Sequence, residues 1–106
     1  MLDDSTIVVI RYTALPDRVE EATAALAELI AIVVREEEDC IGITMHAALD
    51  DPAQILLWEE WTSREAYQGP HMQTPHLRAF IDRAAERFAG PPEITFWART
   101  AEAMPE

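Results

Sequence analysis

Lysine is absent from this chain. All 8 basic residues are arginine, set against 20 acidic residues, for a net charge of −12. A field of that sign repels polyanions, which excludes nucleic acid as a partner, and its simplest use is to keep the protein soluble. Cysteine is almost as scarce: Cys40 stands alone and cannot close an internal disulfide, as expected in a reducing, cytoplasmic setting. No apolar run approaches the roughly 20 residues needed to span a bilayer. The longest, Leu29 to Val34, reads as one stretch of a helix. The opening Met1-Leu2-Asp3-Asp4 is acidic where a secretory leader would be basic, which predicts neither secretion nor membrane association.

What is present fits one domain over residues 1–106, with a core over about 6–100 and a frayed tail at 101–106. Apolar residues make up 49% and charged residues 26%, an ordinary globular mixture. A chain this short buries only about two-thirds of its unfolded surface, so a partner subunit would add needed stability.

Thr6 to Thr13 is β-branched and reads as a strand. Pro16 suits a helix start, and from Asp17 to about Glu38 the positions Val19, Ala22, Leu26, Leu29, Ile30 and Val33 recur at helical spacing. A second strand is predicted over Cys40 to Leu49, a turn at Asp50-Asp51-Pro52, and a third strand over Gln54 to Trp61. Alternation in that third strand places Ile55, Leu57, Glu59 and Trp61 on one face and Leu56, Trp58 and Glu60 on the other. Both faces are apolar, yet a chain of this length has helix enough to cover one. The other face is therefore expected to meet a second copy, with Trp58 in the contact.

Thr62-Ser63-Arg64-Glu65 reads as a capping box opening a short helix to about Gln68, which Gly69-Pro70 interrupts. Thr74-Pro75 then caps and begins another helix whose inner face is read as Leu77, Phe80, Ile81, Ala84 and Phe88. Gly90-Pro91-Pro92 ends it, and Glu93 to Thr100 reads as a last strand. The order βαββαβ predicts an α+β, ferredoxin-like fold, an antiparallel sheet with both helices on one face.

The most informative stretch runs from Leu56 to Tyr67 and on through His71-Met72-Gln73-Thr74-Pro75-His76. A strand ending Glu-x-Trp, a Ser-x-Glu-Ala helix start and His-x-x-x-x-His are matched by Glu59, Trp61, Ser63, Glu65, Ala66, His71 and His76. This pattern resembles the antibiotic biosynthesis monooxygenase family, over roughly residues 6–100. Where the family carries Glu-Pro-Gly-Cys, this chain reads Glu37-Glu38-Asp39-Cys40 and lacks the Pro-Gly turn. The resemblance implies a dimeric α+β barrel with a pocket between sheet and helices in each subunit. Members of the family include small homodimers that oxidise aromatic polyketides and quinols with molecular oxygen, without metal or flavin, and haem-degrading and phosphosugar-handling relatives share the fold.

On that footing Trp61 and Tyr67 are candidates to hold a planar substrate, through a stacking face and a phenol hydroxyl. The competing reading makes Trp61 a core residue covered by Tyr67. His71 and His76 could act as bases toward a hydroquinol, with Glu59 orienting a histidine through its ring N–H. Against this, His71 could be a structural histidine at the helix interruption and His76 a support for the next helix start. His46 reads as a strand residue on a solvent or interface face. His71 and His76 would lie about 140° apart on a continuous helix, so a shared site needs the Gly69-Pro70 break, and no cysteine cluster accompanies them for zinc or iron.

Haem-degrading relatives use an Asn on the first strand, and this chain has no Asn anywhere. Cys40, beside Glu36 to Asp39, should be a poor nucleophile. Three readings follow. One is a cofactor-independent monooxygenase acting with O2 on an aromatic polyketide or quinol-like molecule. Another is a non-catalytic dimer that binds a hydrophobic small molecule. The last is isomerase-type chemistry on a phosphorylated metabolite, for which the arginines do not cluster in sequence.

Overall fold

β-Branched side chains at Thr6, Ile7, Val8, Val9 and Ile10 favour extended backbone, and they form the first strand, β1 (Thr6–Thr13). In the computed structural model, which describes residues 4–106, this strand lies inside a sheet of order β2-β3-β1-β4. After it come α1 (Val19–Glu36), β2 (Cys40–Ala48), β3 (Asp51–Trp61), α2 (Arg64–Gln68), α3 (Pro75–Asp82) and β4 (Glu93–Ala98). Short 3-10 turns at Pro70–Gln73 and Ala84–Glu86 flank α3. Every strand pairing is antiparallel, with Val8 opposite Glu59 on one side of β1 and Phe96 on the other. This is the ferredoxin-like arrangement anticipated from the order of elements.

One sheet face forms the core. Val8, Ile10 and Tyr12 of β1 and Ile55, Leu57, Glu59 and Trp61 of β3 are buried against Ala22, Leu26, Leu29 and Val33 of α1. Removing each large aliphatic side chain from water contributes about 1.5–3 kcal/mol, so this stripe anchors α1. The opposite face carries Leu56, Trp58 and Trp97, and the two tryptophans remain 37% and 57% exposed.

Several details differ from the sequence reading. β3 begins at Asp51, so the turn is Leu49-Asp50 and Pro52 sits at the start of a strand, a position where the missing N–H is tolerated. α1 starts two residues later and β2 and β4 stop earlier than expected, at Ala48 and Ala98. The residue capping α2 is Ser63, whose Oγ accepts from the Ala66 N–H at 3.1 Å. Thr62, expected to open the capping box, instead donates its hydroxyl to Asp39 at 2.8 Å. Thr74 makes no side-chain cap on α3, because its hydroxyl donates to the His71 carbonyl at 2.8 Å. Ile81 is 49% exposed and leaves the inner face, since α3 ends at Asp82 and Phe88 reaches the core from beyond it.

Candidate functional site

The interruption at Gly69-Pro70 places the site. Gly69 donates its N–H to the Glu65 carbonyl at 2.8 Å, and a Cβ on this residue would lie 2.9 Å from that same oxygen. Only glycine lets the chain leave α2 so closely. The 3-10 turn that follows carries His71 into the interior, where it is 4% exposed. Its ring centroid lies 4.6 Å from that of Trp61 and 4.9 Å from that of Tyr67, while Trp61 and Tyr67 meet edge-on at 5.5 Å. Phe96 closes the far side, 5.6 Å from Tyr67, with the Arg64 guanidinium 4.3 Å above it.

Glu37 orients the imidazole. It caps the C-terminus of α1, and its two carboxylate oxygens lie 2.9 and 3.0 Å from His71 Nδ1. One of them is also 2.7 Å from His76 Nε2. A carboxylate accepts, so both ring nitrogens donate to it, and His71 Nε2, with no hydrogen-bond partner among the described residues, can take a proton. The expectation that Glu59 would hold a histidine is corrected here: Glu59 accepts from the Trp61 indole N–H at 2.8 Å, two residues along the same strand face.

Burial sets the electrostatics. It pushes Glu59 from an ordinary 4.5 up to about 7, opposed by the Trp61 hydrogen bond and reinforced by the Glu37 charge. His71 is held below its usual value because burial outweighs the bonds to Glu37, with His76 acting in the same direction as burial. Tyr12 and Tyr67 are raised by burial and then by Glu59. Burial first, then Glu59, pushes Cys40 up to about 12, so the thiol stays protonated and packs, though the acidic run before it is not the main reason.

Of the residues singled out in the sequence, the fold gathers Trp61, Tyr67, His71, His76 and Glu59 into one region. His46 stays apart on exposed β2, 2.9 Å from the Thr44 hydroxyl. His76 lies at the rim, lining a groove of about 440 Å³ between α1 and α3 with Leu29, Phe80, Arg83 and Arg87. Glu37 and Tyr12 were missed. The signal for Glu37 was its place at the head of the Glu37–Cys40 segment; for Tyr12 it was the inward alternation of Val8, Ile10 and Tyr12. Among the described residues no group of three or more His, Cys, Asp or Glu side chains is placed to hold a metal ion. No helix among them is long and apolar enough to cross a membrane.

A four-stranded ferredoxin-like sheet with a buried histidine and aromatic cluster beneath two helices defines the class. Residues 5–83 match the antibiotic biosynthesis monooxygenase family model, and the chain belongs to that family. It is similar to Rv0793 from Mycobacterium tuberculosis, with 25% identity, TM-score 0.81, and coverage of 94% of this chain and 99% of that one. A protein from Nitrosomonas europaea described as a candidate antibiotic biosynthesis monooxygenase is 18% identical, with TM-score 0.83 and 93% of each chain covered. An uncharacterized Synechocystis protein, sll1783, is 28% identical over 95 residues; the match takes in 90% of this chain and 63% of the length of that relative.

Proposed function

We propose that this protein is a cofactor-independent monooxygenase that oxidises an aromatic polyketide or quinol-like molecule with O2, working as a homodimer. The observation that carries the reading is the orientation of His71. A buried imidazole packed against the rings of Trp61 and Tyr67 is held with Nδ1–H toward Glu37, which leaves Nε2 as the nitrogen that can accept a proton. Because His71 is held below its ordinary value, it is neutral near pH 7 and ready to accept a proton. A phenolate gives an electron to O2 far more readily than a phenol, so this base would set the rate. Glu37 is a positioning residue, and His76 shares its carboxylate.

The homodimer rests on the sheet face away from the helices, where Trp58 and Trp97 stand exposed. The isomerase alternative asks for a basic phosphate pocket. Arg83 and Arg87 do share the α1/α3 groove, but they face Glu86 and Glu21 at 3.3 and 3.2 Å, so neither cation is unopposed. Oxygen uptake across a panel of quinols tests the proposal. His71→Ala should lower turnover of an accepted quinol by at least about tenfold, the low end for loss of a general base. Activity of the wild type should fall on acidification as His71 gains its proton. Equal turnover in wild type and variant would sink the base assignment, and uptake at the uncatalysed rate throughout would leave the non-catalytic binder.

A further inference from the structure

Glu37 joins two imidazoles. Its Oε2 accepts from His71 Nδ1 at 3.0 Å and from His76 Nε2 at 2.7 Å, while Oε1 accepts from His71 Nδ1 at 2.9 Å. These bonds tie the end of α1 to the 3-10 turn at Pro70–Gln73 and to the first turn of α3. All three side chains are largely enclosed, Glu37 at 11% exposure, His71 at 5% and His76 at 14%. The rings differ in what surrounds them. His71 packs against Trp61 and Tyr67 in the interior, whereas His76 lines the groove between α1 and α3. His76 Nδ1 has no hydrogen-bond partner among the described residues, so it can take a proton without breaking the bond to Glu37.

One carboxylate carries one negative charge. A proton added to either ring uses that charge, and a second proton on the other ring then meets a positive neighbour, so the two rings titrate as a pair. The geometry favours His76 for the first proton. Charge-assisted bonds are the short ones, and the His76 contact is the shortest of the three. His76 is also nearer water, so charging it costs less desolvation, and the C-terminal end of α1 favours a cation. We propose that His76 is a positioning residue that takes the first proton on acidification, fixes Glu37 by that charge and so keeps His71 Nε2 unprotonated. This rests on the reading of His71 as the base, and adds how that base is kept neutral in acid. His76 acts together with burial in holding His71 below its ordinary value.

The other titratable and charged groups nearby do not redirect the proton. Cys40 on β2 and Glu59 on β3 face the Glu37 charge, and burial raises both, so they keep their protons in the acidic range. Tyr67, against His71, is raised likewise. Glu36, Glu38 and Asp39, beside Glu37 in the chain, are exposed to solvent. In the groove Glu21 and Glu28 oppose Arg83 and Arg87, which leaves Glu37 as the charge that bears on His76.

NMR of the histidine ring nitrogens between pH 8.5 and pH 4.5 tests the proposal, in wild type, His76→Gln and His76→Lys. In the wild type His76 should charge at a higher pH than His71. His76→Gln can still donate to Glu37 but cannot charge. It should raise the pH at which His71 charges by about one unit, the coupling at which neighbouring sites titrate as a pair. His76→Lys carries a standing charge and should leave His71 near its wild-type behaviour. A merely structural role for His76 would move none of these titrations. His71 charging before His76 or with it in the wild type, an unmoved His71 in His76→Gln, or a Lys variant that follows the Gln variant would each overturn the proposal. The wild-type order decides the matter even if neither variant folds. No quinol or O2 is present, so failure of the monooxygenase reading leaves these outcomes intact, and their failure leaves it intact.

Discussion

Replacing Glu59 by Gln should stabilise this protein at high pH and do little at low pH. In the unfolded chain the carboxyl titrates near 4.5, and in the fold burial moves it to about 7. The folded state binds the proton more tightly, so stability is fully present below the unfolded value, where both states are protonated. Between these values the unfolded chain ionises while the folded one must keep its proton, and stability falls. Above about pH 7 both are ionised and the whole penalty is in place. At about 1.4 kcal/mol for each pH unit, this amounts to about 3 kcal/mol lost by the wild type between pH 4.5 and pH 8. Glu59 is 3% exposed, so water does not screen the effect away. Gln cannot ionise, and its Oε1 still accepts from the Trp61 indole. Urea unfolding at pH 4.5 and pH 8 should therefore show near-equal stabilities at the first and a variant more stable by about 3 kcal/mol at the second. His71, lowered in the fold, contributes stability that is present above 6.5 and lost as pH falls, but it does so in both proteins and cancels in the difference. A variant that follows the wild-type pH trend, or is less stable at pH 8, would refute the argument.

Trp61→Ala should cost about 3–5 kcal/mol in chemical denaturation, as truncation of a buried aromatic does, since Trp61 is 1% exposed. Gly69→Ala forces a Cβ to within 2.9 Å of the Glu65 carbonyl, and a loss of about 1–3 kcal/mol with a lower thermal midpoint is expected. An unchanged midpoint would show that the turn into Pro70 relaxes freely. Under the homodimer proposal, Trp58→Glu should weaken self-association at least about tenfold in sedimentation equilibrium, and an unaltered constant would remove the open sheet face from the contact.

The fold was legible because its two periods are clean. Alternation through Ile55, Leu57, Glu59 and Trp61 separated the buried face of β3 from Trp58, and the spacing of Ala22, Leu26, Leu29 and Val33 identified the inner stripe of α1. Element ends were less legible, because they depend on which hydroxyl finds which partner. Thr62 and Ser63 are both competent caps, and only the proximity of Asp39 decides that Thr62 turns away. In the site, Trp61, Tyr67 and His71 could be named from their spacing along a family-like pattern. Glu37 could not be paired with them. It sits 34 residues from His71 and 39 from His76, and nothing local in the chain says that the end of α1 meets the Gly69-Pro70 break. Packing alone brings them together.

That pairing also explains why one interior can contain two carboxyl groups with different work to do. Glu37 has both histidines on its oxygens, and the imidazole N–H groups that reach it are thereby fixed in direction. Glu59 receives a single indole N–H, and burial dominates and keeps its proton on up to about pH 7. The sequence reading gave Glu59 the orienting role because it shares a strand face with Trp61, and face-sharing is what alternation can reveal. Which of two acids is completed by histidine and which by an indole depends on distances across elements. Here those distances assign the orienting task to Glu37 and leave Glu59 with the Trp61 indole.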